Sequence, residues 1–166
     1  KKKIRFIFKD LCDVNCFKTI NNKIDIVLHL ASITNAEASI KDKDRVYNNN
    51  FNSFKNIVKF AKKNNSKFIH ISSTSVYGSQ DKIIGENCRE LKPQSPYAKI
   101  KIMEENILKK RTKFIKYNTF RFGTIAGISK GMRFHTAVNS FCLNAAIGEK
   151  IKVYKKQRTT VSSRTL

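Results

Sequence analysis

Short apolar runs rich in β-branched and aromatic residues alternate along the chain with longer stretches whose apolar residues recur every three or four positions. The runs Ile4–Phe8, Ile24–Leu30, Phe68–Ile71, Phe114–Phe122 and Ile151–Tyr154 read as strands. Apolar positions are nearly continuous in Ile24–Leu30, as suits a strand covered on both faces of a parallel sheet. Between the strands, residues 45–64 place Val46, Phe54, Ile57, Val58 and Ala61 at helical spacing, and residues 95–110 do the same with Ile100, Met103, Ile107 and Leu108. A third apolar stretch, 136–147, predicts another helix. This alternation predicts βαβ units and an open parallel α/β sheet. Ligands of such sheets lie beyond the carboxyl ends of the strands. The positions that follow strands are Leu30-Ala31-Ser32, Ser72-Ser73-Thr74 and Gly123-Thr124.

At 166 residues the chain is long enough for one domain with a core. No run reaches the roughly 18 apolar residues of a membrane span. Three lysines precede Ile4–Phe8, but Lys9-Asp10 interrupt the apolar stretch too soon for a signal peptide. The formal charge of +22 would suit a phosphate backbone. The lysines, however, are scattered through every segment, alongside abundant asparagine, isoleucine and phenylalanine, which is the mark of A- and T-rich codons. No helix-turn-helix, zinc or RNP-type motif accompanies them, so nucleic acid is not an expected partner; the charge instead attracts anionic dinucleotides and sugar nucleotides. Cys12, Cys16, Cys88 and Cys142 form no CxxC pair, and the three histidines are dispersed. Buried, reduced thiols in a cytoplasmic protein without a metal site are expected. Phe6, Phe8 and Phe17 are expected in the core.

The sharpest local signal is Tyr97-Ala98-Lys99-Ile100-Lys101. On a helix, Tyr97 and Lys101 lie one turn apart on the same face. A free phenol titrates near about 10 and is a poor base at neutral pH; a neighbouring ammonium favours the phenolate. Upstream, Ile69-His70-Ile71-Ser72-Ser73-Thr74-Ser75-Val76-Tyr77-Gly78 sets serine hydroxyls just past a strand, where they can donate to a substrate oxygen. Taken singly, the YxxxK pair also reads as a solvent-facing pair and the serines as a polar strand end. His29 reads as a structural strand-end residue and His70 as part of a buried strand. Arg133 and His135 read equally as phosphate contacts or as a solvated turn.

In order along the chain, further segments change that balance. Asp25-Ile26-Val27-Leu28-His29-Leu30-Ala31-Ser32 resembles a D-x-V-x-H-x-A-A strand. Asn49-Asn50-Phe51-Asn52 resembles an N-x-x-G-x-x-N helix opening, with Ser53 where glycine is usual. Ser72 to Gly78 resembles S-S-x-x-V-Y-G, and Arg121 to Gly127 resembles R-x-x-x-x-x-G. Glu86, then Pro96 to Lys101 with Glu104, resemble the acidic residue and the Y-x-x-x-K-x-x-x-E helix of the same set. As a set these motifs resemble the extended short-chain dehydrogenases/reductases, the NAD-dependent nucleotide-sugar epimerase/dehydratase family. The resemblance implies a Rossmann-like doubly wound parallel sheet with flanking helices, of which residues 1–150 would be a partial dinucleotide-binding domain and 151–166 the start of a substrate-capping region.

It further implies Tyr97 as general acid/base, Lys101 as its pKa modifier and ribose ligand, with the positive ring of an oxidised nicotinamide favouring the phenolate beside it, and Ser73 as the catalytic serine. Asp10 and Leu11 would meet the adenine, although Lys9 replaces a usual glycine. Leu30, Ala31 and Ser32 would line the cofactor, and Asn50 would support that site. Thr124 would sit beside the nicotinamide and the substrate, and Asn139 would contact the diphosphate of a nucleotide-diphosphate sugar near a helix start. NAD is the implied cofactor, with NADP left open, and a homodimer through the helices of Asn50 and Tyr97 is the implied assembly. Thr74 and Ser75 stand where some dehydratases carry acidic residues, so an epimerase is the expected subtype, ahead of a reductase or decarboxylase.

The pattern is also incomplete. The family's first strand and helix are joined by a glycine-rich loop whose backbone approaches the pyrophosphate, and here no glycine precedes Gly78. Ile4–Phe8 resembles the third strand, and Val161 to Leu166 lack the V-x-D pattern of the capping region. The chain is therefore expected to be shortened or frameshifted at both ends and to bind NAD poorly or not at all. The rival expectation is an inactive remnant, or a basic module that binds polyanions.

Overall fold

The computed structural model describes residues 4–34, 40–111, 113–134 and 136–153. Its strands are β1 (Ile26–His29), β2 (Lys67–Ser73) and β3 (Tyr117–Phe122), and its helices are α1 (Lys43–Lys63), α2 (Pro96–Lys110) and α3 (Ala137–Ala146). The strands form one parallel sheet in the order β1-β2-β3, with Leu28 beside Ile69, His70 beside Thr119 and Ser72 beside Arg121. Helix α1 connects the first pair and α2 the second, so the predicted βαβ units are present.

Local chemistry fixes the helix ends. The Asp42 carboxylate accepts from Arg45 N–H (3.1 Å) at the start of α1, and Lys62 and Lys63 sit in its last turn, where cations complement the helix dipole. Beyond Asn64, Asn65 takes a left-handed conformation (φ 52°), and Ser66 N–H reaches back to Ala61 O. Ser95 caps α2 by accepting from Ala98 N–H (3.1 Å), with Pro96 just inside, where its missing N–H costs nothing. The buried stripe of α1 is the predicted one: Val46, Phe54, Ile57, Val58 and Ala61. With Val27, Phe68, Leu108 and Ile115 most of it forms the core on one face of the sheet, where Phe54 meets Phe68 edge to face at 5.9 Å.

Several expectations are corrected. Strand Ile24–Leu30 is covered on one face only: Val27 and His29 are buried, whereas Ile26 and Leu28 are exposed, as are Phe120 and Phe122 on β3. The cause is that the packed residues of α1 and α2 meet the face bearing Val27, Phe68 and His70. Ile4–Phe8 forms no strand, and Phe6 and Phe8 are solvent-exposed rather than core. In a doubly wound order 3-2-1-4-5-6 a third strand pairs only with the second, and no described segment offers it that edge. Phe17 is half-buried and stacks on Phe60 at 4.4 Å. Ile151–Val153 has no regular structure, and Tyr154, His135 and the expected capping segment from 154 onward lie outside the described residues. All four cysteines are free thiols, but only Cys16 is buried.

The bend after β2 depends on Gly78. Its φ is +63°, and a Cβ there would lie 1.8 Å from the Lys92 carbonyl oxygen. Gly78→Ala is therefore expected to lower stability by about 2 kcal/mol or more, measured by urea unfolding; a loss under about 0.5 kcal/mol would show that this backbone crossing is not part of the fold.

Candidate active site

Strand β2 ends at Ser73, which caps a single 3-10 turn, Thr74–Val76. Ser73 Oγ accepts from Ser75 N–H (3.1 Å) and from the Ser75 hydroxyl (2.9 Å), so its own proton remains available to donate. Helix α2 packs on this turn and on β2. Tyr97, half-buried in its first turn, has the Lys101 ammonium 5.7 Å from its ring centre. Thr124 is exposed just past β3, and Gly123 lies against Thr74, so the carboxyl ends of β2 and β3 meet.

Beneath Tyr97 lies a polar layer that follows the strand register. His70 and Ser72 face the helix from alternate positions of β2, and each meets one of two successive acids of α2. On the first rung, Glu104 Oε2 receives both His70 Nε2 (2.8 Å) and Lys101 Nζ (2.8 Å), while His70 Nδ1 lies 3.4 Å from the Thr119 hydroxyl on β3. On the second, Glu105 accepts from Ser72 Oγ (2.7 Å) and is gripped by Arg121 at 2.9 and 2.6 Å. Lys101, Glu104 and Glu105 are all buried. Burial pushes both carboxyls up, but the His70 hydrogen bond and the Lys101 charge outweigh it at Glu104, as do Arg121 and Ser72 at Glu105. Both therefore titrate below the usual carboxylate range. Against an ionised Glu104, His70 Nε2 must be the donor.

The sequence reading missed this layer. It assigned the buried stripe of α2 to Ile100, Met103, Ile107 and Leu108; Ile100 and Leu108 are buried, but Met103 and Ile107 are only half so, and the charged residues take their place. The acid four residues after Lys101 is Glu105, whereas Glu104 was singled out for the motif. Tyr97 stands among charges of both signs. Burial, and then the Glu104 charge, raise its pKa above the usual phenol value, opposed by Arg133. Lys101, expected to act on Tyr97, is held in an ion pair with Glu104.

The remaining predicted residues are spread along the carboxyl edge. Leu30 and Ala31 are exposed after β1, and Ser32 Oγ is buried without a partner among the described residues. Asn50 is buried and spent on the Ile33 backbone, accepting from its N–H (2.7 Å) and donating to its carbonyl (3.0 Å); it therefore steadies the loop of Leu30–Ser32 rather than reaching out of it. Asp10 accepts from Cys12 N–H (2.8 Å), and the Leu11 carbonyl accepts from Asn56 (3.0 Å), which fastens this segment further along α1. Asn139 is buried and donates to the Arg133 carbonyl (3.1 Å); exposed Arg133 itself donates to the Thr34 hydroxyl, tying this loop to the one after β1. His29 is buried between Phe54 and Phe68, with neither ring nitrogen partnered among the described residues. Burial, aided by Lys101 and His70 against Glu104, lowers its pKa to about 4, so it is neutral at physiological pH. No described group of histidine, cysteine and acidic residues could hold a metal ion, and no described helix is long and apolar enough to cross a membrane.

The sequence profile of the NAD dependent epimerase/dehydratase family matches residues 1–161. The chain belongs to this family. Among epimerase/dehydratase relatives, the UDP-glucose 4-epimerase of Lactobacillus helveticus is 30% identical over 112 residues, covering 66% of this chain and 34% of that protein. The human dTDP-D-glucose 4,6-dehydratase is 33% identical over 109 residues, covering 63% and 31%. The solved UDP-N-acetylglucosamine 4-epimerase of Methanobrevibacter ruminantium, in complex with UDP-N-acetylmuramic acid, superposes with a TM-score of 0.74 at 26% identity, covering 85% of this chain and 47% of that one. The chain thus spans about a third of these relatives and about half of that structure. The fold is the partial Rossmann-like sheet that the family resemblance implies.

Because Glu105 has a lowered pKa, its contribution to stability is full above its unfolded value of about 4.3 and is lost as pH falls through its folded value. Arg121→Met is expected to cost roughly 3 kcal/mol at pH 7, since it leaves a buried carboxylate with only the exposed Lys109 ammonium, 4.0 Å away, as its cation. The gap to the parent should narrow below about pH 4 in denaturation curves; a gap independent of pH would contradict the Glu105–Arg121 account.

Proposed function

We propose that the chain carries the catalytic half of an NAD-dependent nucleotide-sugar epimerase that works by transient oxidation of a sugar hydroxyl, with residues 1–150 as a partial dinucleotide-binding domain. The observation that carries this reading is the Tyr97–Lys101 pair, with the ammonium 5.7 Å from the ring centre, on a helix that abuts the Ser73 turn. A bound nicotinamide supplies the hydride acceptor. Tyr97 Oη takes the proton of the sugar hydroxyl and returns it after re-reduction from the opposite face, which inverts the carbon. Ser73 donates its free hydroxyl proton to the same sugar oxygen. Lys101 favours the phenolate through its charge.

The carboxyl edge fits the dinucleotide in part. Exposed Leu30 and Ala31 offer apolar surface for a flat ring, and Ser32 Oγ is a buried polar atom free to bond a ligand. Asp10 and Leu11 belong to the adenine end in this reading, and Thr124 to the nicotinamide. Asn139, beside exposed Arg133, belongs to the diphosphate of the sugar nucleotide. Thr74 and Ser75 put no carboxyl in the turn after Ser73, which favours epimerisation over elimination of water. The free thiols suit a cytoplasmic enzyme, and the helices α1 and α2 are the surfaces on which a homodimer would form.

In the full-length enzyme, Tyr97→Phe is expected to lower turnover of a UDP-sugar at least ~100-fold with the fold unchanged. Turnover within a few-fold of the parent would remove Tyr97 from the reaction.

A further inference from the structure

A carboxylate sits where the chemistry of the Tyr97–Lys101 pair has no evident use for one. Lys101 Nζ is 2.8 Å from Glu104 Oε2, and both side chains are buried, with 3% and 1% of their surface exposed. The geometry is fixed from the far side, because His70 Nε2 approaches the same oxygen at 2.8 Å and is itself wholly buried against Phe54. The other oxygen, Oε1, is buried with no partner among the described residues, so Oε2 carries the whole interaction. A unit negative charge lying against the ammonium opposes its field at the ring 5.7 Å away, and in a dry surrounding the opposition is weakly screened.

We propose that Glu104, anchored by His70, is a positioning residue for Tyr97: it holds the Lys101 ammonium and offsets its charge at the phenol, so that the resting chain keeps a proton on Tyr97 Oη. The inference rests on Tyr97 being the proton-transferring group. Its consequence is that the phenol feels less of the Lys101 charge than an unpaired ammonium would supply. The charged and titratable groups facing this cluster are consistent with that weakening. From β1, His29 is neutral at physiological pH. From β2, His70 donates to the carboxylate, and from β3, Thr119 offers only a hydroxyl. Arg121 is occupied by Glu105, and α1 contributes apolar Phe54. Burial and then the Glu104 charge raise the phenol's pKa, and exposed Arg133 opposes them.

The test is a pH titration of the chain labelled with carbon-13 at the tyrosine ring carbon bearing the hydroxyl, with the Tyr97 signal assigned from Tyr97→Phe. It needs neither cofactor nor turnover, so it can fail while the catalytic reading stands, and Tyr97→Phe kinetics can fail while it stands. Glu104→Gln is expected to lower the Tyr97 midpoint by about one pH unit, roughly a tenfold gain in phenolate at a given pH below it. Lys101→Met is expected to raise the midpoint. Glu104→Gln combined with Lys101→Met replaces the pair by neutral side chains of similar length, a change that buried pairs often tolerate, and keeps the test open if a single variant does not fold. That double variant is expected to titrate within about half a unit of the parent. Single variants that shift the midpoint the same way, a Glu104→Gln midpoint that stays or rises, or a larger displacement in the double variant would overturn the proposal.

Discussion

The Lys101–Glu104 ion pair is the constraint on which the rest of the site depends. Two charges taken out of water cost several kcal/mol each unless their geometry and remaining hydrogen bonds offset the loss. Here the offset comes from the sheet: His70 on β2 supplies the second donor to Glu104, and Thr119 on β3 adjoins His70's other nitrogen. The pair is tied to the sheet through His70, and that bond constrains how α2 sits on the strands. Lys101 and Glu104 move together on the helix, so rotating or sliding it would strip the buried carboxylate of its sheet partner, His70, and expose the pair to a misfit that one aliphatic side chain would not create.

Glu105 repeats the logic one residue on. Neighbouring helix residues point about a quarter-turn apart, while His70 and Ser72 lie on one face of β2. The two acids thus meet two successive rungs of the sheet, and Arg121 closes the second rung from β3. With both acids engaged, the position of Tyr97 at the start of α2 beside the Ser73 turn follows from the same contacts. Stability and site geometry share one set of interactions.

Helical spacing made α1 legible, since its buried residues are apolar and recur at the helical period. The three strands, and with them the residues that follow, were legible as short apolar runs. The buried face of α2 was not: a periodicity of apolar positions cannot register Lys101, Glu104 and Glu105, whose burial depends on partners on β2 and β3 far away in sequence. Ile4–Phe8 has strand chemistry but needs a neighbouring edge, and an edge is not a local property. The motif set located Tyr97, Lys101 and Ser73, yet spacing alone could not show that a second charge stands against Lys101. Burial and then that second charge both raise the phenol's pKa.

Nitrogen-15 NMR of the lysine ammonium groups shows whether Lys101 and Glu104 form a buried, charged pair. A buried ammonium donating to a carboxylate exchanges its protons slowly, so Lys101 should give a resolved ammonium signal at neutral pH, absent in Lys101→Met and displaced in Glu104→Gln. A Lys101 signal averaged with solvent like those of the surface lysines would contradict the account.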